Sequence, residues 1–163
     1  MENEGTKTLK QELCSLLQSL NQDYEIHAFG SDKEYEYLQE NDCCITVRNP
    51  NCENPIYIDL ENDEELTLSY YKWHAHYLCE EWDYHNLCED LKDLLNNRKC
   101  VIVINSSERW LRSELSETKM DKNCNYQKMI KELSKEAQKE IKKLKGTIEL
   151  FYWDRKDNVV IDL

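Results

Sequence analysis

Ile56-Tyr57-Ile58-Asp59-Leu60-Glu61-Asn62-Asp63-Glu64-Glu65-Leu66-Thr67-Leu68-Ser69-Tyr70 carries the clearest structural signal in the chain. Ile56, Ile58 and Leu60 recur at every second position, and Leu66, Leu68 and Tyr70 repeat the pattern. Period-two alternation predicts two strands, each burying one face. Between them Glu61-Asn62-Asp63-Glu64-Glu65 is too polar for anything but a hairpin loop. The centre of the chain therefore reads as an antiparallel pair with an acidic tip.

Working upstream, Ile45 and Val47 add a third strand of a meander, and Tyr24 to Phe29 reads as a short strand with Ile26 and Ala28 on one face. Before it lies an amphipathic helix of about three turns. It carries Leu9, Leu13, Leu16, Leu17 and Leu20, with Thr8 as N-cap, Gln11 as capping-box partner and Asn21 as stop. The polar stretch Ser31 to Asp42 shows no periodicity and receives no element.

Downstream, a second helix starts at Asp83 as N-cap, aligns Leu87, Cys88, Leu91, Leu94 and Leu95 on one stripe, and stops at Asn96-Asn97. Lys99 to Asn105 is apolar on both faces, which predicts a central strand covered on both sides. From Glu108 to Thr118, Trp110 and Leu111 fit either an edge strand or a short irregular segment, with the strand preferred. A long third helix is expected from about Asn125 to Lys145, with Met129, Ile130, Leu133, Ala137, Ile141 and Leu144 inward. Glu132 with Lys135, Glu136 with Lys139 and Glu140 with Lys143 would pair on its surface, and Gly146 would be its C′ residue. A final hairpin, Thr147 to Trp153 and Val159 to Leu163, turns at Asp154 to Asp157. The expected architecture is one α+β domain over residues 1–163, a largely antiparallel sheet packed with about three helices.

Composition excludes several functions. Glycine occurs only at Gly5, Gly30 and Gly146, too sparsely for a phosphate-cradling loop or a dinucleotide fingerprint. The net charge of −12 disfavours a phosphate backbone, whose ligands rely on Lys and Arg. No nucleic-acid partner is expected. The N-terminal Met1-Glu2-Asn3-Glu4-Gly5 has no apolar run behind it, and the longest apolar run is Cys100 to Ile104. No signal peptide, no membrane span and a cytoplasmic location are expected, and eight cysteines fit a reducing compartment.

The acidity has a location. Residues 1–97 hold 22 acidic and 6 basic side chains, a net of −16, whereas residues 98–163 hold 11 and 15, a net of +4. It concentrates at Asp59 to Glu65 and at Glu80-Glu81-Trp82-Asp83. Acidic loops often serve solubility alone. Beside aromatic residues they also suit docking, because a negative patch steers a basic partner and aromatic anchors supply binding energy. The partner-binding candidates are thus Glu61, Asp63, Glu64, Glu65, Trp73, Glu80, Glu81, Trp82 and Asp83.

A second cluster, His74, His76, Cys79, His85 and Cys88, falls within fifteen residues. Zinc takes four nitrogen or sulfur ligands, yet this spacing matches no standard pattern and no CxxC occurs, so no metal or cofactor is assigned. Ser106-Ser107 lacks a nucleophile elbow, and with 33 acids, pairs such as Asp59 with Glu61 or Glu114 with Glu117 arise by chance. No catalytic residue is assigned. A metal-dependent or Cys/His hydrolase centred on His74, His76 and Cys88, and an interaction domain of a larger assembly, are the alternatives to a binding protein.

The segment Glu65-Leu66-Thr67-Leu68-Ser69-Tyr70-Tyr71-Lys72-Trp73-His74-Ala75-His76-Tyr77, the acidic helix to Asn97, the strand Cys100 to Ile104 and Arg109-Trp110-Leu111 resemble small acidic immunity proteins encoded beside bacterial polymorphic or contact-dependent toxins. The resemblance covers roughly residues 56–115, with Trp73, His74 and His76 as its matching positions. It implies a stoichiometric cytoplasmic inhibitor that occludes a basic toxin domain, often a nuclease, and no catalysis.

Overall fold

The computed structural model describes residues 4–61, 65–117, 127, 130, 131 and 133–163. The expected hairpin forms from β3 (Ile56–Glu61) and β4 (Glu65–Tyr70), antiparallel, with Ile58 opposite Leu68 and Glu61 opposite Glu65. Around it β1 (Tyr24–Ala28), β2 (Cys43–Val47) and β5 (Trp73–Leu78) complete a five-stranded antiparallel meander in sequence order. The alternation is realised: Ile56, Ile58, Leu60, Leu66, Leu68 and Tyr70 are all buried on one face, where α1 (Glu4–Ser19) packs over β3 and buries Leu13 and Leu17. Each such aliphatic side chain contributes roughly 1.5–3 kcal/mol by leaving water. The turn from β4 to β5 is made by Tyr71 and Lys72, with Tyr71 at φ 54°. No glycine or asparagine marks it, so the fifth strand's pairing leaves no turn signal in the sequence.

Two local expectations upstream need correction. α1 begins before Thr8, which lies inside the helix rather than at its N-cap. Ile26 is 46% exposed on the edge strand β1, so Ile26 and Ala28 do not form a buried face. Asn21 and Asn97 do act as helix stops, each in the left-handed region at φ 52° and 54°, where asparagine is among the few tolerant residues.

Contacts divide the chain into two compact units, Met1–Lys92 and Asp93–Leu163, and the antiparallel strands form two sheets rather than one. α2 (Glu81–Leu95) starts two residues before Asp83. In the second unit β6 (Cys100–Asn105) is central, flanked by β7 (Trp110–Ser116) and β8 (Thr147–Phe151), with β9 (Val159–Asp162) beyond β8. Five of the six β6 residues are buried, as double coverage requires.

The long third helix is not continuous. Gln127, Ile130 and Lys131 are helical, but the chain breaks at Leu133 and restarts as α3 (Lys135–Leu144), N-capped by Ser134, whose Oγ accepts from the Ala137 N–H. Serine offers the backbone this alternative partner inside an otherwise helical pattern. Met129 and Glu132 lie outside the described residues, and Glu140 pairs with Arg109 of the second unit. The left-handed residue ending α3 is Lys145 at φ 53°, not Gly146. Gly146 is required for another reason: a Cβ there would stand 2.3 Å from the Asn105 carbonyl oxygen.

Candidate functional site

Side chains alternating with the core residues of the first sheet face the other way: Glu25 and His27 on β1, Cys44 and Thr46 on β2, Tyr57, Asp59 and Glu61 on β3, Glu65, Thr67 and Ser69 on β4, His74 and His76 on β5. This face is almost wholly polar. The segment 31–42, unplaced from sequence, folds onto it. A 3-10 turn at Lys33–Tyr35 lays Tyr35 and Leu38 on Cys44, with Tyr57 packed alongside. The His27 ring stacks on Tyr35 at 3.9 Å, and the Tyr35 hydroxyl lies 2.9 Å from Thr46 Oγ1. Tyr37 donates its hydroxyl to Asp59 Oδ1 at 2.7 Å.

Between these groups is an open cavity of about 410 Å³, lined by Glu34, Tyr35, Tyr37, Tyr57, Asp59 and Ser69. Burial of its hydroxyl, then the Asp59 carboxylate, pushes Tyr37 far above the ordinary phenol range. Tyr35 and Tyr57 are raised as well, by burial first, with Glu34 among the further causes. All three rings therefore stay neutral, and the formal charge in the cavity is that of two carboxylates. Cys44 behind it is pushed up to about 12 by burial and Asp59, so it is a thiol and not a nucleophile.

Next along the face is the acidic end of the hairpin. Glu61 and Glu65 are opposed in register, an unfavourable like-charge pair. Partial burial, then Glu65, Asp42 and Asp59, raise the Glu61 carboxyl, against a smaller opposing influence of His76. Glu65 Oε1 lies 3.2 Å from His76 Nδ1, which is also 3.2 Å from Thr67 Oγ1, and the His74 ring meets His76 edge-on at 5.2 Å. Asp63 and Glu64 lie outside the described residues.

Because folding raises the Glu61 pKa, its charge opposes folding at neutral pH and ceases to do so as pH falls through the folded value. Glu61→Gln is therefore expected to raise the unfolding free energy at pH 7 slightly, by no more than about 0.5 kcal/mol, read as a higher urea midpoint. The difference should vanish below about pH 4, where both states are protonated. A lower midpoint for the variant at pH 7 would contradict the charge crowding.

The second acidic segment occupies the start of α2. Trp82 is 60% exposed and donates from Nε1 to Glu80 Oε2 at 2.8 Å, and Glu81 is exposed in the first turn. Asp83 turns back to accept from the Leu78 N–H at 2.7 Å, tying α2 to the end of β5 rather than capping the helix. Trp82 also borders an open cavity of about 950 Å³ with Glu12, Tyr84, His85 and Cys88. Trp73 stands opposite Tyr70 in the inward half of the register and is half-buried.

The His74, His76 and Cys88 set is not brought together. Both histidines point out from β5, while Cys88 is buried on the α2 stripe, its thiol raised by burial and engaged with Tyr84. Among the described residues no three His, Cys, Asp or Glu side chains are arranged to hold a metal ion. In the second unit a cavity of about 500 Å³ is bordered by Ile130, Ile141 and Leu163 with Lys131 and Lys142, and no Asp or Glu side chain is among its described lining residues.

Comparisons with protein-family models, curated proteins and solved structures return no significant match. Among the described residues no helix is long and apolar enough to cross a membrane. The sequence signals found Glu61, Glu65, His74 and His76 and missed Glu34, Tyr35 and Tyr37. The only trace of the latter was two tyrosines two positions apart in a segment without periodicity.

Proposed function

We propose that the chain is a stoichiometric protein-binding module, an inhibitor of the immunity type acting in the cytoplasm, which occludes a basic toxin domain with the acidic side of its first unit. The observation that supports this most is the end of the hairpin: Glu61 stands opposite Glu65 in register, with Asp59 on the same face of β3, so the fold holds like charges side by side. A basic partner relieves that crowding. The charge also belongs to the unit that carries the face, since Met1–Lys92 holds 21 acidic and 6 basic residues and the second unit 12 and 15. Long-range attraction speeds encounter and sets orientation, and exposed Trp82 beside Glu80 and Glu81 provides an aromatic anchor with a low entropic cost of burial.

The test is co-purification with the basic domain encoded by the adjoining gene. The expected result is a 1:1 complex whose association slows with added salt, and a roughly tenfold or greater further loss of rate for Glu61→Lys combined with Glu65→Lys. A salt-independent rate, or no complex at micromolar concentration, would overturn the reading.

A further inference from the structure

We propose that the cavity lined by Glu34, Tyr35, Tyr37, Tyr57, Asp59 and Ser69 is a receptor for a guanidinium group, the side chain of an arginine that a basic protein partner presents. This rests on the reading that the partner is basic, and adds where and by what chemistry one of its residues is held.

The walls fit such a guest. Aromatic faces attract cations through their ring quadrupoles, and a planar guanidinium stacks on them as an ammonium does not. Tyr35 and Tyr37 stand with ring centroids 6.4 Å apart and tilted by 41°, and Tyr57 is the third ring. Each is backed by another group, which limits rearrangement on binding: His27 stacks on Tyr35, Asp59 holds the Tyr37 hydroxyl, and Tyr57 packs on the Tyr35–Leu38–Cys44 cluster. A carboxylate offers about four acceptor positions, so the Tyr37 hydroxyl leaves Asp59 with capacity for guanidinium N–H groups. Glu34 supplies a second carboxylate at the rim. Arginine is also less strongly hydrated than lysine, so entering a partly enclosed aromatic cavity costs it less. Of two further cavities among the described residues, that in the second unit is bordered by Lys131 and Lys142, which repel a cation, and that beside Trp82 also joins acids to rings, with Glu12, Glu81, Trp82 and Tyr84, but has more than twice the volume.

The probe is N-acetyl-arginine amide, titrated into the full chain and followed by amide chemical shifts. Saturable shifts centred on Tyr35, Tyr37, Tyr57, Asp59 and Ser69 are expected, with a dissociation constant in the millimolar range typical of a single side chain. Asp59→Asn keeps an acceptor for the Tyr37 hydroxyl while removing the charge, and should weaken binding about tenfold. Glu34→Gln, on an exposed turn, should weaken it severalfold, and Tyr57→Leu should do the same by removing a ring while keeping apolar volume. Equal binding of N-acetyl-lysine amide overturns the guanidinium assignment, and equal binding of the uncharged N-acetyl-glutamine amide, or no saturable shift, overturns the site. If the partner complex forms as readily with Asp59→Asn as with the unaltered chain, the cavity has no part in an otherwise valid interface. Saturable probe binding by a chain that forms no partner complex upholds the cavity and removes the inhibitor reading instead.

Discussion

Leu68→Ala is expected to lower the unfolding free energy by about 2–5 kcal/mol, whereas Ser69→Ala, one residue further along β4, is expected to change it by no more than about 0.5 kcal/mol. Leu68 is fully buried opposite Ile58, in the middle of the five-stranded sheet, and removing its side chain beyond Cβ leaves a cavity that flanking strands cannot close without breaking their ladders. Ser69 pairs with Tyr57 on the other face and borders the open cavity, where solvent replaces the lost hydroxyl. Urea denaturation followed by far-UV circular dichroism measures both. Comparable losses would mean that both faces are core, and the polar face would then have no freedom to serve a partner.

The second large effect is in the other sheet. Gly146→Ala is expected to destabilise the chain by about 1–3 kcal/mol, the usual range for inserting a group where there is no room. The added Cβ would meet the Asn105 carbonyl oxygen at 2.3 Å. That carbonyl belongs to the end of β6, paired through Asn105 with Thr147, while the Gly146 carbonyl accepts from the Leu163 N–H at 2.9 Å, so relief by backbone movement disturbs the β8 pairing on both sides. Amide exchange within β6, β8 and β9 should accelerate in the variant. Lys145→Gly, at the left-handed position itself, should be neutral or slightly stabilising, because glycine removes strain there. If Gly146→Ala proves harmless and Lys145→Gly harmful, the assignment of roles at this helix end is wrong.

Much of the fold was legible because it repeats. Ile56, Ile58 and Leu60 show a period of two, the α2 leucines one of 3.6, and Val101 to Ile104 a continuous apolar run, each a direct consequence of which sides of an element meet the core. Helix boundaries were less legible. Thr8 and Asp83 are good N-cap residues, yet α1 and α2 run past them toward the N-terminus, since a cap preference is worth only about 1 kcal/mol and the backbone continues wherever nothing breaks it. The interruption at Ser134 was hidden for the opposite reason, because the apolar positions Ile130, Leu133, Ala137 and Ile141 keep helical spacing across the break.

The candidate site divides in the same way. Sequence is enough to give the hairpin an acidic end and to put the negative charge in the first half of the chain, because composition and period-two alternation are local. The division of the strands into two sheets, and the folding of Ser31 to Asp42 over the polar face of the first, depend on long-range packing. The contacts that hold that segment, Tyr35 to Thr46 and Tyr37 to Asp59, span 11 and 22 residues and involve single side chains rather than a repeating stripe. Such contacts form because the sheet face already exists as a surface to pack on, and a surface assembled from five strands leaves no periodic mark in the segment that covers it.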